Sequence, residues 1–298
     1  MNRTIRKFLI VQSLTSLALV GCASVKEKPL PVIPQQLAEK VALYKKLQPD
    51  FLDEYGWAGE KCDSALVTSL CLAGGGCPDA NIYDAESTTE PGRWYRHKLH
   101  DCFDLGQSAS DISKDMFAGL GFVLDDAAKA RVKAYGEAHD WVMGRGPLSR
   151  TYLTIPLRWV YTGWPVSTDS DSWIPFPINT GYRAHLDVLS ILLRADARGQ
   201  KTTPLELKYL KLQSERVPKN ALFHAAYHKF FDGDQSAAKA ILMDERWFPA
   251  DKLPTDANYC TDYLWSRDEP HDLEPCEDGK RKDATDFLFA AWVAFGKM

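Results

Sequence analysis

The densest run of binding chemistry in the chain is Gly92-Arg93-Trp94-Tyr95-Arg96-His97. A guanidinium offers a planar fork to a carboxylate or sulfate, and Trp and Tyr rings offer flat faces. The run suits an acidic sugar, with Arg93 and Arg96 on the acid group and Trp94 on a ring. It suits equally a loop packed by its own aromatics. Downstream, Asp111 and Asp115 stand one helical turn apart, offset by about 40°. They share a polar face opposite Ile112, Met116, Phe117 and Leu120. Asp63 follows Cys62 at a helix start, where a disulfide would pin its neighbour. Asp63 and Asp115 together have the chemistry of the acid/base pair that glycoside hydrolysis needs. Both residues also fit plain helix starts, favoured by the dipole. A lyase would instead need a base such as His185 or Tyr182.

Aromatics recur through 152–182, where Trp164 and Trp173 could stack on sugar rings or fill a core. His139 falls on the apolar face of Ala128, Val132, Tyr135 and Val142, and His185 on that of Leu189, Leu192 and Leu193. Each points inward from an amphipathic helix and needs a hydrogen-bond partner. The pair lines a cleft or is simply structural. His224 and His228 have the i, i+4 spacing of zinc proteases, but no Glu follows the first. They read as a solvated pair, and neither a metal nor a cofactor is expected.

The elements that must position these residues are helical. Apolar residues recur at three and four over 35–48, 125–143 and 183–197, where Gly199 supplies a stop. Shorter helices are expected near 62–72, 111–123, 204–215, 219–231 and 235–244. The last helix is the clearest. Asp283 can cap it, and Phe287, Leu288, Ala291, Trp292 and Phe295 form its buried face. Alternating strands are few. The class is mostly α, with antiparallel helix pairs and long loops over 73–108 and 147–180, where function tends to lie.

The chain has 298 residues, 45% hydrophobic and 26% charged, with a formal net charge of −4. That composition fits a globular protein and lacks the basic surplus of a nucleic-acid binder. Residues 1–21 begin with Arg3, Arg6 and Lys7 and continue in an apolar run flecked with polar residues. The run is short for a membrane span and has the parts of a signal peptide. Its end, Leu19-Val20-Gly21-Cys22, resembles the bacterial lipobox. The resemblance implies cleavage before Cys22, lipidation of that cysteine and attachment to a membrane through the lipid. With Ala23 and Ser24 following and no Asp, it implies sorting to the outer membrane, facing the periplasm. Residues 22–35, with Pro29, Pro31 and Pro34, read as an extended linker, and 36–298 as one domain. Loss of the three basic signal residues leaves 33 basic against 40 acidic, a net −7.

Without Cys22, six cysteines remain, an even set that reads as three disulfides in an oxidising compartment. Six allow 15 pairings. Cys71 and Cys77 bracket a short glycine-rich stretch. Cys62 is nine residues from Cys71, about two and a half helical turns, so the two would face opposite sides of one helix and need different partners. The preferred set is Cys71–Cys77, Cys62–Cys102 and Cys260–Cys276.

The helix pairs, the Cys62-Asp63-Ser64 helix start, GRWYRH, SASDISKDM and GYRAHLDVL together resemble an α/α toroid. Six-hairpin glycosidases and polysaccharide lyases share that architecture. The resemblance covers roughly 40–298 and, given the length, implies an incomplete ring. It implies a cleft with acidic, His or Tyr catalysts and aromatic sugar platforms. The functional expectation is an envelope lipoprotein that acts on a glycan, as hydrolase or lyase. The rival is a lipoprotein that binds a glycan or protein partner without catalysis.

Overall fold

A computed structural model describes residues 31–59, 64–100, 112, 114–145, 150–152, 161, 187–193, 202–253 and 284–296, with 114, 115, 145 and 150–152 described by backbone alone. Among them the protein is mostly helical. The helices are α1 (Gln35–Leu47), α2 (Ser64–Gly74), α3 (Lys114–Val123), α4 (Asp126–Ala138), α5 (Pro204–Arg216), α6 (Ala221–Phe231), α7 (Ser236–Leu242) and α8 (Thr285–Phe295). Residues 187–193 are also helical. Short 3-10 turns occupy Gln48–Phe51 and Ile82–Ala85.

Local chemistry starts several of these helices. Asp125 accepts from Ala128 N at 2.7 Å to cap α4, and Asn220 accepts from Phe223 N at 3.1 Å to cap α6. Thr203 and Glu206 make a reciprocal capping box on α5, with Pro204 in the first turn. Such side chains satisfy N–H groups that the helix itself leaves unpaired.

The core is organised around α8. This helix packs against α1, α2, α6 and α7, while α3 backs α2 and α5 backs α6. The expected single buried face is only part of it. Phe287, Leu288 and Ala291 are buried as expected, and so are Phe289, Ala290, Val293 and Ala294, whereas Trp292 and Phe295 are partly exposed. A helix apolar on nearly every side belongs inside a bundle. Asp283 lies outside the described residues. The N-cap is Ala284, with no side-chain cap. Its N–H donates instead to Oε1 of the buried Gln48, whose Nε2 reaches Thr285 Oγ1 at 3.5 Å and Cys71 Sγ at 3.4 Å.

The Cys71–Cys77 disulfide is present. The glycines between its cysteines also serve packing. A Cβ on Gly74 would lie 2.8 Å from the Leu288 backbone carbonyl carbon, so only glycine lets the end of α2 approach α8 this closely. Cys62–Cys102 and Cys260–Cys276 lie outside the described residues.

One helix is shorter than its periodicity predicts. The pattern over 125–143 suggests continuous helix, but α4 stops at Ala138, and Asp140 and Trp141 adopt φ of 51° and 61°. Trp141 folds back over Gly136, where a Cβ would stand 2.6 Å from the indole, and Trp141 N donates to the Gly136 carbonyl at 2.7 Å. Burial of the indole outweighs continuation of the helix. The chain then forms a small antiparallel ribbon of β1 (Val142–Arg145) and β2 (Arg150–Tyr152). His139 is therefore a half-buried residue at a helix end rather than an inward-pointing one. Among the described residues, no helix is long and apolar enough to cross a membrane.

Lys40 is buried on α1, and its Nζ donates to the Leu242 carbonyl at the end of α7 at 3.0 Å. Burial lowers its pKa to about 8, against the pull of Glu245 and Asp244. The folded value lies below the unfolded one, so the charged amine opposes folding below about pH 8. That cost is relieved as pH rises toward the unfolded value of 10.5. Unfolding free energy, followed by denaturant titration, should therefore climb by roughly 1–2 kcal/mol across this interval relative to Lys40→Met. Equal slopes for the two proteins would contradict it.

Candidate functional site

The GRWYRH segment belongs to a loop, residues 82–100, clamped from three sides. Glu86 receives a bidentate contact from Arg131 of α4, Nε to Oε1 at 2.7 Å and Nη2 to Oε2 at 2.6 Å. Gly92 N donates to the same Oε1 at 2.8 Å. Gly92 has φ of 87°, and a Cβ there would lie 2.1 Å from the Arg131 carbonyl oxygen, so the loop touches α4 backbone to backbone. At the far side the Arg96 carbonyl accepts from Ala65 N, in the first turn of α2, at 2.8 Å.

The third clamp is a buried polar pair. His97 is fully buried, and its Nε2 lies 2.8 Å from Asp53 Oδ2. Leu99 N donates to His97 Nδ1 at 3.1 Å, so the ring proton sits on Nε2 and points at the carboxylate. The other Asp53 oxygen accepts from Tyr55 N and Trp57 N, both at 2.8 Å. Both imidazole nitrogens are thus committed, and the pair fixes the loop to the 53–57 turn.

Clamping decides which way the candidate residues face. Trp94 is fully buried beside Tyr83, ring centroids 6.2 Å apart. Its ring fills the core and is not open as a sugar platform. Arg93 and Tyr95, on either side of it, face outward and are half-buried. The Arg93 guanidinium lies 5.2 Å from the Tyr95 ring and pairs through Nη1 with Glu90. Partial burial opposes its charge. The Glu90 carboxylate and the Tyr95 and Tyr135 phenols outweigh that and hold it more firmly protonated than usual. Arg96 is half-buried and also engaged.

The outward rings continue into a strip. His100 stacks on Tyr95 with centroids 4.0 Å apart, and its Nε2 lies 3.0 Å from the Asp84 carbonyl. A carbonyl can only accept, so Nε2 carries the proton and Nδ1 holds a lone pair. On the other side His139 stacks on Tyr135 at 4.1 Å, with Nδ1 2.8 Å from the Tyr135 carbonyl, leaving the lone pair on Nε2. Arg93 and His100 therefore share the Tyr95 ring, while His139 stacks on the buried Tyr135 of α4. Arg93 is legible in the sequence as a candidate for anion binding. His100 and His139 are not, because their places depend on the positive φ of His100 (55°) and on the early end of α4.

The remaining candidates divide clearly. Asp115 lies in α3, whose backbone alone is described at that position. Asp63, Tyr182, His185, Trp164, Trp173 and Cys22 lie outside the described residues. His224 and His228 are half-buried on α6, with rings nearly parallel and 6.4 Å apart. They turn to different partners, the Pro218 carbonyl and Asp232. Burial lowers the His224 pKa, with His228 adding to the effect. Among the described residues, no three His, Cys, Asp or Glu side chains gather as a metal site.

Compared with protein-family models, curated proteins and solved structures, the chain finds no match. The backbone contact at Gly92 predicts that Gly92→Ala destabilises the fold by about 2 kcal/mol or more. Hydrogen exchange in 86–100 should accelerate most. Unchanged protection of that segment would show that the loop does not depend on its contact with α4.

Proposed function

We propose that the chain is a lipid-anchored envelope protein that acts on an acidic glycan, and that the face around Arg93 contacts the glycan. The observation that supports this most directly is the half-exposed Arg93 stacked over Tyr95 at the outer edge of a rigid loop. A guanidinium held against an aromatic ring keeps a fixed orientation, which favours planar, bidentate carboxylate recognition. The lipobox-like Leu19–Cys22 supports attachment through Cys22 to the outer membrane, with Pro29, Pro31 and Pro34 as spacer. The disulfide at Cys71–Cys77 agrees with an oxidising compartment.

For the finer fold, the packed consecutive pairs α2–α3 and α5–α6 support an incomplete α/α toroid, whereas α8 in their midst speaks for a filled bundle. The glycan contact is accordingly placed at the 82–100 loop rather than at a central hole. Cleavage would be performed by Asp63 and Asp115 in a hydrolase, or by His185 or Tyr182 as base in a lyase. Recognition without cleavage draws on the same Arg93 observation and needs none of those four.

The deciding experiment offers the full chain peptidoglycan, polygalacturonate and neutral dextran at pH 7.5, following both binding and product. New reducing ends would indicate hydrolysis, and unsaturated ends elimination. Arg93→Gln should weaken binding of the acidic polymer about tenfold or more with little change in melting temperature. Indifference of the wild-type chain to acidic and neutral polymers alike would remove the reading. Hydrolysis that survives Asp63→Asn and Asp115→Asn would remove the roles given to those residues. Cys22→Ser should move the protein from the membrane fraction to the soluble fraction, and continued sedimentation with membranes would count against the lipid anchor.

A further inference from the structure

Among the described elements α5 packs chiefly on α6, joined to it by a four-residue connection as an antiparallel hairpin. Tyr209, Leu210, Gln213 and Ser214 form its buried face. The opposite face carries Leu205, Lys208, Lys211, Leu212, Glu215 and Arg216, all exposed. Leu205 and Leu212 are 51% and 54% exposed. Seven residues apart, they stand about 20° from each other around the helix axis. Leucines left this far in water gain free energy from any surface that covers them.

The acids of α5 are committed within the helix. Glu206 belongs to the capping box and accepts from Thr203 N at 2.7 Å and Thr203 Oγ1 at 2.9 Å. Glu215 faces Lys211 at 3.6 Å. Lys208 has no acidic partner among the described residues, and it stands between the two leucines. Arg216 follows Leu212 by one turn and continues the stripe. Phe231, the other exposed apolar residue of the hairpin, is followed by Asp232 and Asp234. An anionic surface is repelled there and attracted along α5.

Area and charge together choose the occupant. Two leucines expose far less than the roughly 800 Å² per partner that a stable protein interface buries. Leucines alternating with long cations suit a bilayer surface instead. The leucines enter the acyl boundary, the lysine stem lies along it, and the ammonium reaches the headgroup phosphates.

We infer that Leu205, Lys208, Leu212 and Arg216, on the outer face of α5, rest on a bilayer containing anionic phospholipid. From the reading above the inference takes only the anchor. With Cys22 held in the membrane, even a weak contact orients the domain, because tethering raises the local concentration of its surface. So weak a contact does not retain an unanchored chain in washed membranes.

The test uses the full chain with Cys22→Ser, so that no lipid holds it, mixed with vesicles at millimolar lipid. One set is equal parts phosphatidylglycerol and phosphatidylcholine, and the other is phosphatidylcholine alone. Hydrogen exchange over 204–216 should slow with the first set and not with the second, and added salt should reverse the effect. Leu205→Gln, Lys208→Gln and Leu212→Gln combined should lower partitioning onto the anionic vesicles about tenfold, with the melting temperature kept. The apolar run near the start of the chain is common to both proteins, so the difference belongs to α5. No slowing over 204–216, equal slowing with both vesicle sets, or equal partitioning of parent and triple variant overturns the inference. So does an equal loss of partitioning in Lys133→Gln, a cation removed from α4. Slowing without vesicles, together with a doubled mass in sedimentation, would make a second copy the occupant and overturn the lipid assignment. The anchor stands or falls on the washed-membrane result and the α5 contact on the vesicles, so the two fail separately.

Discussion

A helix with apolar residues on almost every side can persist in water only if other elements enclose it. α8 is such a helix, with Phe287 to Ala291, Val293 and Ala294 all buried. Enclosure by α1, α2, α6 and α7 removes that surface from water, at about 25 cal/mol for each Å² covered. The same requirement accounts for features that look unrelated along the chain. Gly74 is needed so that α2 can come close, and Gln48 accepts from the Ala284 N–H at the start of α8. Because Gln48 also reaches Cys71 Sγ, the start of α8, the end of α1 and the disulfide meet in one buried knot.

The 82–100 loop depends on that bundle one step removed. It has little regular structure, so its shape rests on three fixed points: Glu86 with Arg131, Asp53 with His97, and the Arg96 carbonyl at the start of α2. Trp94 and His97 are spent on anchoring, and both are fully buried. Among the residues left partly outside are Arg93, Tyr95 and His100, with Arg93 and His100 both against the Tyr95 ring. Rigid placement of half-exposed cationic and aromatic groups is what ligand recognition requires, since little freedom is lost on binding.

Helix positions and several helix starts were readable in the chain itself. Expected starts near 204 and 219 fall close to Pro204 and Ala221, because Thr203 and Asn220 act through local hydrogen bonds. The Cys71–Cys77 pair was readable because six residues separate its partners. The end of α4 was not. Its apolar pattern runs on past Ala138, and only the fit of Trp141 over Gly136 breaks it. Nor was the buried role of Trp94, since in GRWYRH a platform for a ligand and a plug for a core have the same composition.

By itself the sequence determined the mostly helical class, the local caps and the presence of arginines beside aromatic rings in one short segment. These follow from interactions spanning a few residues, so their signals lie within a few residues. Only the tertiary structure decided that α8 is central, that Trp94 turns inward while Arg93 and Tyr95 turn outward, and that His100 stacks on Tyr95. Those outcomes depend on which faces meet across long stretches of chain, as in the contacts of Gln48 with Ala284 and Asp53 with His97. Periodicity tells that a face is apolar; it does not tell what will cover it.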